Sequence, residues 1–470
     1  MSERQVYLLS PRRLSPETIA VTFAKTSRSP LSFREIAEEL TDAKSAAFHE
    51  KWVVGYGHAS VAEHAVLHLA FEGVSRLAIE CIESNRLASY TEKSTRYQTW
   101  EPDDYHLPAE VRGHAREREV RTVCDELFAA YHNALQPVRA VVQRRFPRQE
   151  GESDERWDSR IRARYVDVCR FLLPAAAHAN VGMTANARVL AHAIRKMLSH
   201  PLQEVREIGR QVKEVAAAEV PTLLKYTEPL PYLSALPGGL APWARSSSGA
   251  DGVSPVRLLG ATPAAQAVAL AGCLYPHVER PLAEVLEGVR RMGAEEQEQL
   301  ARAVLGGRGE HDAPVRGLEH ALFTFELVLD QGAYFELKRH RMMTQSPQRL
   351  TTRLGYAVPR LIREAGVETA YRAAMDRAAE TFESLAAWNP EVAAYVVPNA
   401  FRRRVALTLN LREAFHFCEL RSAPNAHFSI RRIAYLVGDV LRKEVPALAA
   451  YLRLAPGGWE AIEDEHFVQV

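Results

Sequence analysis

The chain has 470 residues, 47% of them hydrophobic, with 59 Lys and Arg against 58 Asp and Glu and a formal charge of +1. A chain of this length is too long for a single hydrophobic core of ordinary size, which predicts two domains of roughly 200 residues each. Because the charges balance, no overall field attracts nucleic acid or an anionic membrane, which disfavours both as partners. An anion would have to be recognised by a local cationic cluster, and a phosphate-bearing small molecule fits this better than a polymer.

The predicted elements alternate between short apolar strands and amphipathic helices. Residues 65–74 (AVLHLAFEGV) are rich in aromatic and β-branched side chains and predict a strand. Residues 116–146 and 202–220 carry apolar side chains every three to four positions, which predicts helices. Residues 236–255, rich in Gly, Pro and Ser, predict a linker, and residues 321–329 (ALFTFELVL) predict a second strand. The pattern indicates an α+β fold that occurs twice.

Five cysteines are spread along the chain without a Cys-x-x-Cys pair: Cys81, Cys124, Cys169, Cys273 and Cys418. Their apolar or helical contexts predict reduced, buried thiols. The first residues contain no apolar signal core, and no apolar run reaches the length of about 18 residues that a membrane span needs. These features together predict a cytoplasmic protein.

Matching motifs in the two halves indicate a duplicated domain. Each half has a Glu-His pair before an apolar, aromatic run, and both share one spacing from a proline to Asn-x-Arg and on to a histidine. The matched residues are Pro174, Asn186, Arg188 and His192 in the first half and Pro398, Asn410, Arg412 and His416 in the second. Two such coincidences in the same order predict two tandem domains, residues 1–235 and 256–470, joined by the linker.

The second half also contains a concentrated cationic segment, ELKRHRMMTQSPQRL, at residues 336–350. Four cationic or protonatable side chains stand together in it: Lys338, Arg339, His340 and Arg341. They form either an anion site or a solvated basic patch, and the segment alone does not decide between the two. The three consecutive arginines at 402–404 are interpreted as surface charge.

The segment SNRLASYTEKSTRY, residues 84–97, resembles the signature of the flavin-dependent thymidylate synthases, in which Arg-His-Arg is followed after seven residues by Ser-x-Arg-Tyr. The first half keeps the end of this signature: Glu92, Ser94, Arg96 and Tyr97. In place of Arg-His-Arg it has Ser-Asn-Arg at 84–86. The second half keeps Arg-His-Arg at 339–341 but has Arg349 in place of the serine. The chain is thus similar to two tandem copies of this family's domain, an antiparallel sheet with helices, in which each copy has lost different motifs.

The resemblance implies which residues contact the flavin. In the first copy they are His58, Ser60, Arg86, Glu92, Asn186, Arg188 and His192. In the second copy they are Arg339, His340, Arg341, Asn410, Arg412 and His416. The second copy has Pro314 and Arg316 at the places of His58 and Ser60, so this part of the family's site is expected only in the first copy.

The resemblance also implies the groups that hold a nucleotide. The substrate-binding positions of the first copy are Ser94, Arg96 and Arg170. Arg421 in the second copy matches the arginine that orients the pyrimidine and helps to ionise it, and we expect it to be the catalytic group. The second copy has Ala394 where the first has Arg170, and the first has Met197 where the second has Arg421. Arginine suits both roles because its planar guanidinium binds phosphate or carbonyl oxygens through parallel hydrogen bonds.

The family implies an enzyme that holds FAD and uses NADPH and methylenetetrahydrofolate to convert dUMP to dTMP without a cysteine nucleophile. The complementary losses suggest that phosphate-binding residues of one copy meet flavin and pyrimidine groups of the other. Since the family forms homotetramers, a homodimer of this chain would imitate them. Two alternatives stay open: a flavin enzyme acting on a different nucleotide or one-carbon acceptor, and a non-catalytic flavin- or nucleotide-binding protein.

Other cofactor motifs are absent from the sequence. The segment HASVAEH at 58–64 has neither of the spacings typical of zinc-binding His-Glu motifs, so no metal is expected. The sequence VLGGRGEH at 304–311 lacks the Lys-Ser/Thr of a P-loop, and no Rossmann fingerprint is present.

Overall fold

A computed structural model describes residues 5, 7–27, 29–55, 58–244 and 254–468. These residues are mostly helical and include two small antiparallel sheets, which confirms the α+β class. The strands are β1 Val66–Ser75, β2 Ser89–Glu92, β3 His178–Asn186, β4 Val256–Ala261, β5 Leu322–Asp330, β6 Thr344–Pro347 and β7 Arg402–Asn410.

The α-helices of the described residues follow in chain order. Those before residue 245 are α1 Pro16–Thr26, α2 Phe33–Glu39, α3 Asp42–Phe48, α4 Arg76–Glu83, α5 Glu117–Arg145, α6 Asp154–Cys169, α7 Ala187–Leu198, α8 Gln203–Ala217, α9 Pro221–Leu224 and α10 Pro231–Leu240. Those after it are α11 Ala265–Leu274, α12 Leu282–Arg291, α13 Ala294–Leu305, α14 Gln331–Leu337, α15 Arg360–Glu364, α16 Glu368–Ala386, α17 Pro390–Ala393, α18 Leu411–Ser422, α19 Phe428–Glu444, α20 Pro446–Ala449 and α21 Trp459–His466. No helix in the described ranges is both long and apolar enough to cross a membrane.

The chain divides into two compact units that do not follow its two halves. The first unit contains residues 1–93, 104–117 and 176–248, and the second contains residues 94–103, 118–175 and 249–470. Helix α6 and nearly all of α5 therefore belong to the second unit although they lie in the first half of the sequence. The domain limits predicted above concern the sequence duplication and stay a prediction.

The sheet of the first unit has the strand order β1-β3-β2. β1 and β3 pair from Val66 opposite Asn186 to Ser75 opposite His178, and the register shifts after Phe71. Gly73 lies in this bulge with a φ of 62°, a conformation that costs glycine little. The strand predicted at 65–74 and the helix predicted at 202–220 correspond to β1 and α8.

The sheet of the second unit has the strand order β4-β5-β7-β6. β5 and β7 pair without a shift, from Leu322 opposite Asn410 to Asp330 opposite Arg402. Alternate side chains of these strands, such as Phe323, Phe325 and Leu407, are buried in one core together with α18 and α19. Helix α18 begins directly where β7 ends, so its first turn lies at the C-terminal end of this inner strand.

Equivalent segments of the repeat pair with each other inside the second unit. Pro174 forms an isolated antiparallel bridge with Pro398. The Ala175 N–H donates to the Val397 carbonyl at 3.0 Å, and the Asn399 N–H donates to the Leu173 carbonyl at 3.0 Å. This pairing draws the residues that follow α6 against the second half of the chain.

Some of the sequence interpretations need correction or extension. The predicted linker begins inside α10, a helix without buried residues, and residues 245–253 lie outside the described residues. The strand β4 was not predicted. The surface interpretation of the arginines at 402–404 is wrong for Arg403, which is buried and donates to Gln331 Oε1 at 3.1 Å. The five cysteines are free thiols, and all except the half-buried Cys273 are buried, so the prediction of reduced thiols agrees with the structure.

Candidate functional site

The asparagine of each Asn-x-Arg motif caps a helix at the end of a strand. Asn186 Oδ1 accepts a hydrogen bond from the Val189 N–H at 2.9 Å, and Asn410 Oδ1 accepts one from the Glu413 N–H at 2.8 Å. Each side chain satisfies a backbone donor that the first turn leaves without a helical partner. The two asparagines therefore fix where α7 and α18 begin, and their predicted contact with a flavin stays a prediction.

The arginine of each Asn-x-Arg motif forms an ion pair with the glutamate of the Glu-His motif in the same copy. Arg188 Nη1 lies 2.5 Å from Glu63 Oε1. Arg412 Nη1 lies 3.0 Å from Glu319 Oε1, and Arg412 Nε donates to the Pro314 carbonyl at 2.7 Å. The two repeated motifs thus meet in both copies, which gives them a structural role independent of any ligand.

Arg421 is held in the last turn of α18 by a chain of hydrogen bonds. Its Nε donates to His340 Nε2 at 2.9 Å, and His340 Nδ1 lies 3.0 Å from Glu413 Oε1. Because a guanidinium only donates, His340 Nε2 must accept, and the imidazole is neutral with its proton on Nδ1. Burial, reinforced by the Arg421 charge, keeps the pKa of His340 well below its usual range, which agrees with this tautomer. Glu413 and His340 therefore orient the Arg421 guanidinium.

Glu336 connects Arg421 with an arginine of the first half. Its Oε2 accepts from Arg421 Nη1 at 2.8 Å, and its Oε1 lies 3.6 Å from Arg96 Nη1. The same Oε1 accepts from the His427 N–H at 3.2 Å. The glutamate is only 5% exposed, and a carboxylate so deeply buried requires such partners. Glu336 thus links Arg96 and Arg421, which are 325 residues apart in the sequence.

The first half contributes two arginines to this part of the second unit. Arg96 Nε lies 2.9 Å from both carboxylate oxygens of Asp167, and Arg96 Nη1 donates to the Asn425 carbonyl at 2.7 Å. Arg170 is 2% exposed, and its Nη1 donates to Thr95 Oγ1 at 2.8 Å. The side chain of Ser94, two residues before Arg96, accepts a hydrogen bond from the Arg96 N–H at 3.2 Å.

The charged side chains of Arg96, Asp167, Arg170, Glu336 and Arg421 form a cluster in which positive and negative charges compensate one another. Burial raises the pKa of Asp167, while Arg170 and Arg96 act in the opposite direction. Burial likewise lowers the pKa of Arg421, and Glu336 opposes the change. A ligand phosphate that binds these arginines must therefore replace an internal carboxylate as their partner.

Three more of the predicted residues are exposed, two of them on the turn after α14 and one on α18. Arg339 and Arg341 are exposed on the turn that leads to β6. The exposed ring of His416 has its centroid 5.4 Å from that of the buried His340. Arg339 is close enough to Arg421 to lower its pKa, although burial has the larger effect. The Arg-His-Arg segment therefore has one buried residue that supports Arg421 and two cationic residues that face solvent.

In the first unit, two predicted residues line a cavity of about 580 Å³. Arg188, His192 and Arg195 line it together with small side chains such as Ala59 and Ala191. Burial lowers the pKa of His192, and Lys196 and Arg195 lower it further. Guanidinium groups and small alanine side chains among the lining residues match the chemistry of a cofactor that carries a planar ring and phosphates, so FAD fits this set of residues.

The other first-copy residues do not all meet at that cavity. His58 and Ser60 are exposed at the short 3-10 turn that contains Ala59, and Arg86 is exposed on the turn before β2. Glu92 is held in a buried ion pair, with its Oε1 2.8 Å from Arg76 Nη2. In the part of the chain that the structure describes, no group of three or more His, Cys, Asp or Glu side chains could hold a metal ion.

Sequence reasoning missed the carboxylates that accompany the arginines. Asp167 lies in the last turn of α6 and precedes Arg170, the residue after the helix, by three positions, a spacing at which side chains can pair. Glu336 is the first residue of the cationic segment 336–350 and the one acidic residue in it, which was a second signal. Nothing in the local sequence indicates that either residue would meet Arg96, because this contact is formed only by the fold.

Comparison with known proteins gives one family and two kinds of relatives. The family profile described as "Thymidylate synthase complementing protein" matches residues 11–222 and again residues 257–447. A UPF0159 protein of Chlamydia pneumoniae is 31% identical over 468 residues, covering 91% of this chain and 88% of that protein. A UPF0159 protein of Thermoplasma acidophilum is 28% identical over 456 residues, covering 88% and 90%.

Shorter relatives match about one copy. A flavin-dependent thymidylate synthase of Clostridium tetani is 26% identical over 216 residues, which cover 46% of this chain and 83% of that protein. One of Geobacter sulfurreducens is 27% identical over 215 residues, with 46% and 83% covered. The similarity to the UPF0159 proteins therefore extends over both copies, whereas the similarity to the synthases extends over less than half of the chain.

Proposed function

The chain belongs to the flavin-dependent thymidylate synthase family as a tandem duplicate, and on that premise we propose that it is an FAD-dependent enzyme that methylates dUMP to dTMP. The observation that carries this proposal is the cluster of the second unit, where Arg96 and Arg170 of the first half lie with Arg421 of the second. Each copy has lost part of the family's motifs, and this cluster combines what remains.

In this proposal the protein groups bind, orient and polarise. Ser94, Arg96 and Arg170 hold the phosphate of the nucleotide. Arg421 lies beside the pyrimidine and stabilises negative charge on it, with His340 and Glu413 fixing its direction. A fixed guanidinium is more effective than a mobile one because its orientation is set before the reaction begins.

FAD supplies hydride chemistry when bound, NADPH provides the electrons, and methylenetetrahydrofolate provides the one-carbon unit. In the first unit, Arg188 and His192 are proposed to hold the cofactor, with His58, Ser60, Arg86, Glu92 and Asn186 as further flavin-binding positions. In the second unit the proposed flavin-binding positions are Arg339, His340, Arg341, Asn410, Arg412 and His416. We further propose a homodimer that imitates the family's tetramer, and a cytoplasmic location in keeping with five free thiols.

A radiochemical assay tests the function. The full chain is reconstituted with FAD and incubated with NADPH, methylenetetrahydrofolate and dUMP labelled with tritium at C5. Release of tritium with formation of dTMP is expected, and Arg421→Ala should abolish it while the exposed control Arg442→Ala should not. Flavin binding without tritium release in the unmodified protein would contradict the proposed reaction.

Glu336 favours a second candidate, a flavin enzyme that acts on a different nucleotide. A buried carboxylate beside Arg421 accepts a hydrogen bond from a ring amino group but repels a ring oxygen that becomes negative. A cytosine nucleotide presents such an amino group. Tighter binding of dCMP than of dUMP, together with turnover of dCMP in the same flavin assay, would establish this candidate in place of the first.

A further inference from the structure

A separate cavity of about 270 Å³ lies next to Arg96 in the second unit. It is formed by the C-terminal end of α5, one side of α6, residues 424–431 and the end of α21. Five arginines line it: Arg96, Arg145, Arg160, Arg164 and Arg431. The carboxylates among the lining residues are only Asp167 and Glu465, so this surface carries an excess of positive charge.

Three of the five arginines already have carboxylate partners. Arg96 pairs with Asp167 as described above. Arg145 Nη2 lies 2.6 Å from Glu364 Oε1, and Arg160 Nε lies 2.8 Å from Glu152 Oε1. These three side chains are therefore compensated, and the unbalanced charge of the cavity comes from the remaining two.

Arg164 and Arg431 have no hydrogen-bond or ion-pair partner for their guanidinium groups among the residues that the structure describes. Arg164 lies over the ring of Phe146, 3.9 Å from its centroid, which leaves its N–H groups free to bind a ligand. The Nε of Arg431 is buried without an acceptor. A buried donor without an acceptor destabilises the folded chain, so this donor indicates a ligand that brings acceptor oxygens.

Aromatic side chains complete the cavity wall. The rings of Phe428 and His466 stack with centroids 4.8 Å apart and an angle of 13°. Burial is the main reason that the pKa of His466 falls to about 4, and Arg431, Arg164 and Arg145 lower it further against the effect of Glu465. The imidazole is therefore neutral at physiological pH. Apolar walls strengthen the attraction between a guanidinium and an anion because they exclude water.

We propose that this cavity binds a phosphate group through Arg164 and Arg431. Its volume is smaller than that of most cofactor sites, of about 300–1,000 Å³, and suits phosphate or diphosphate rather than a dinucleotide. Arg96 borders both this cavity and the cluster around Arg421. The phosphate therefore comes either from a free anion or, if the proposed function holds, from the nucleotide whose phosphate Arg96 already contacts, with Arg164 and Arg431 as additional donors.

Isothermal titration of the full chain at constant ionic strength tests this inference, with phosphate, pyrophosphate and dUMP as separate ligands. We expect saturable binding of at least one of them, weakened at least fivefold by Arg164→Gln and by Arg431→Gln. A loss for the inorganic anions alone identifies a free anion as the occupant, and a loss for dUMP identifies the nucleotide's own phosphate.

Arg156→Gln is the matched control, since Arg156 is exposed on the same helix α6 but does not line the cavity. An equal loss of affinity in this control, or the absence of saturable binding of all three ligands, would overturn the proposal. The titration requires no catalytic turnover. If the protein releases no tritium from dUMP, the proposed reaction is contradicted. The titration still tests the phosphate site independently.

Discussion

The two copies of the repeat share backbone conformation at several equivalent motif positions but carry different charged side chains. Asn186 and Asn410 have φ of −82° and −84° with ψ of 164° in both, and each caps the helix that follows a central strand. Val220 and Val445 precede short proline-initiated helices with φ of −137° and −139° and ψ of 59° in both. Caps and turns are thus conserved between the copies.

The copies differ at positions that the family resemblance predicts to be functional. Arg170 and Ala394 each begin a 3-10 turn after a helix, so they are equivalent in structure although only one can bind an anion. Met197 and Arg421 both lie in the last turn of the helix that follows Asn-x-Arg. The equivalent positions therefore share local structure, while only one copy has an arginine at each of them, as the proposed division of binding groups requires.

Removal of Arg170 is expected to have the largest effect on stability. Arg170→Ala deletes a buried cation and leaves Asp167 with one partner fewer, so the free energy of unfolding should fall by about 3–5 kcal/mol. Urea unfolding measures this change. Arg162→Ala, which breaks an exposed pair with Asp158, should cost at most about 1 kcal/mol, and equal effects of the two changes would contradict the buried role of Arg170.

Arg421→Met gives the second copy the residue that the first copy has at the equivalent position, Met197. Loss of charge-assisted hydrogen bonds to the ligand should weaken dUMP binding by about 10- to 100-fold. Equilibrium dialysis with labelled dUMP measures the affinity, and circular dichroism checks that the helices remain. Unchanged binding by a folded variant would remove Arg421 from the substrate site.

Glu336→Gln removes the internal carboxylate that competes with a ligand for Arg421 and Arg96. The affinity for dUMP should rise by about 5- to 10-fold, because the arginines no longer have to exchange one anionic partner for another. The same dialysis experiment measures the gain. Glu383→Gln, at an exposed pair with Arg353, serves as the control, and a loss of dUMP affinity in Glu336→Gln would mean that this carboxylate assists binding.

The smallest expected effect concerns the helix caps. Asn186→Ala and Asn410→Ala should each reduce the free energy of unfolding by about 1 kcal/mol, because each leaves a backbone N–H of the first helical turn without its acceptor. Thermal denaturation of the two variants compares them directly. A large effect in one copy and none in the other would show that the caps are not equivalent.

Much of the fold could be predicted from local patterns. The strands β1 and β5 followed from short runs rich in aromatic and β-branched residues, and the helices α5 and α8 followed from apolar periodicity. The repeat followed from the matching Glu-His segments and the spacing of Pro, Asn-x-Arg and His. The strand β4 was missed because it lies directly after a region of Gly, Pro and Ser and is largely exposed. Helix α10 was missed because it buries no side chain and therefore lacks the periodicity used to recognise helices.

The site was only partly predictable. Family motifs identified Arg96, Arg170, His340 and Arg421, which the structure brings together in one unit. Their internal partners Asp167 and Glu336 could not be assigned from the sequence, because burial and long-range contacts decide which charges compensate each other. The burial of Arg403 was missed for the same reason. Local patterns therefore reveal which residues carry charge, and only the tertiary structure reveals how much of that charge is available to a ligand.

A double-mutant cycle on dUMP binding tests most directly whether Arg96 of the first copy and Arg421 of the second serve one nucleotide site. The dissociation constant is measured for the unmodified chain, for Arg96→Ala, for Arg421→Ala and for the double variant. We expect each single change to weaken binding strongly and the double change to add much less than the sum, as for residues that share Glu336 and one ligand. Strictly additive effects, or an unchanged affinity in either single variant, would contradict a shared site.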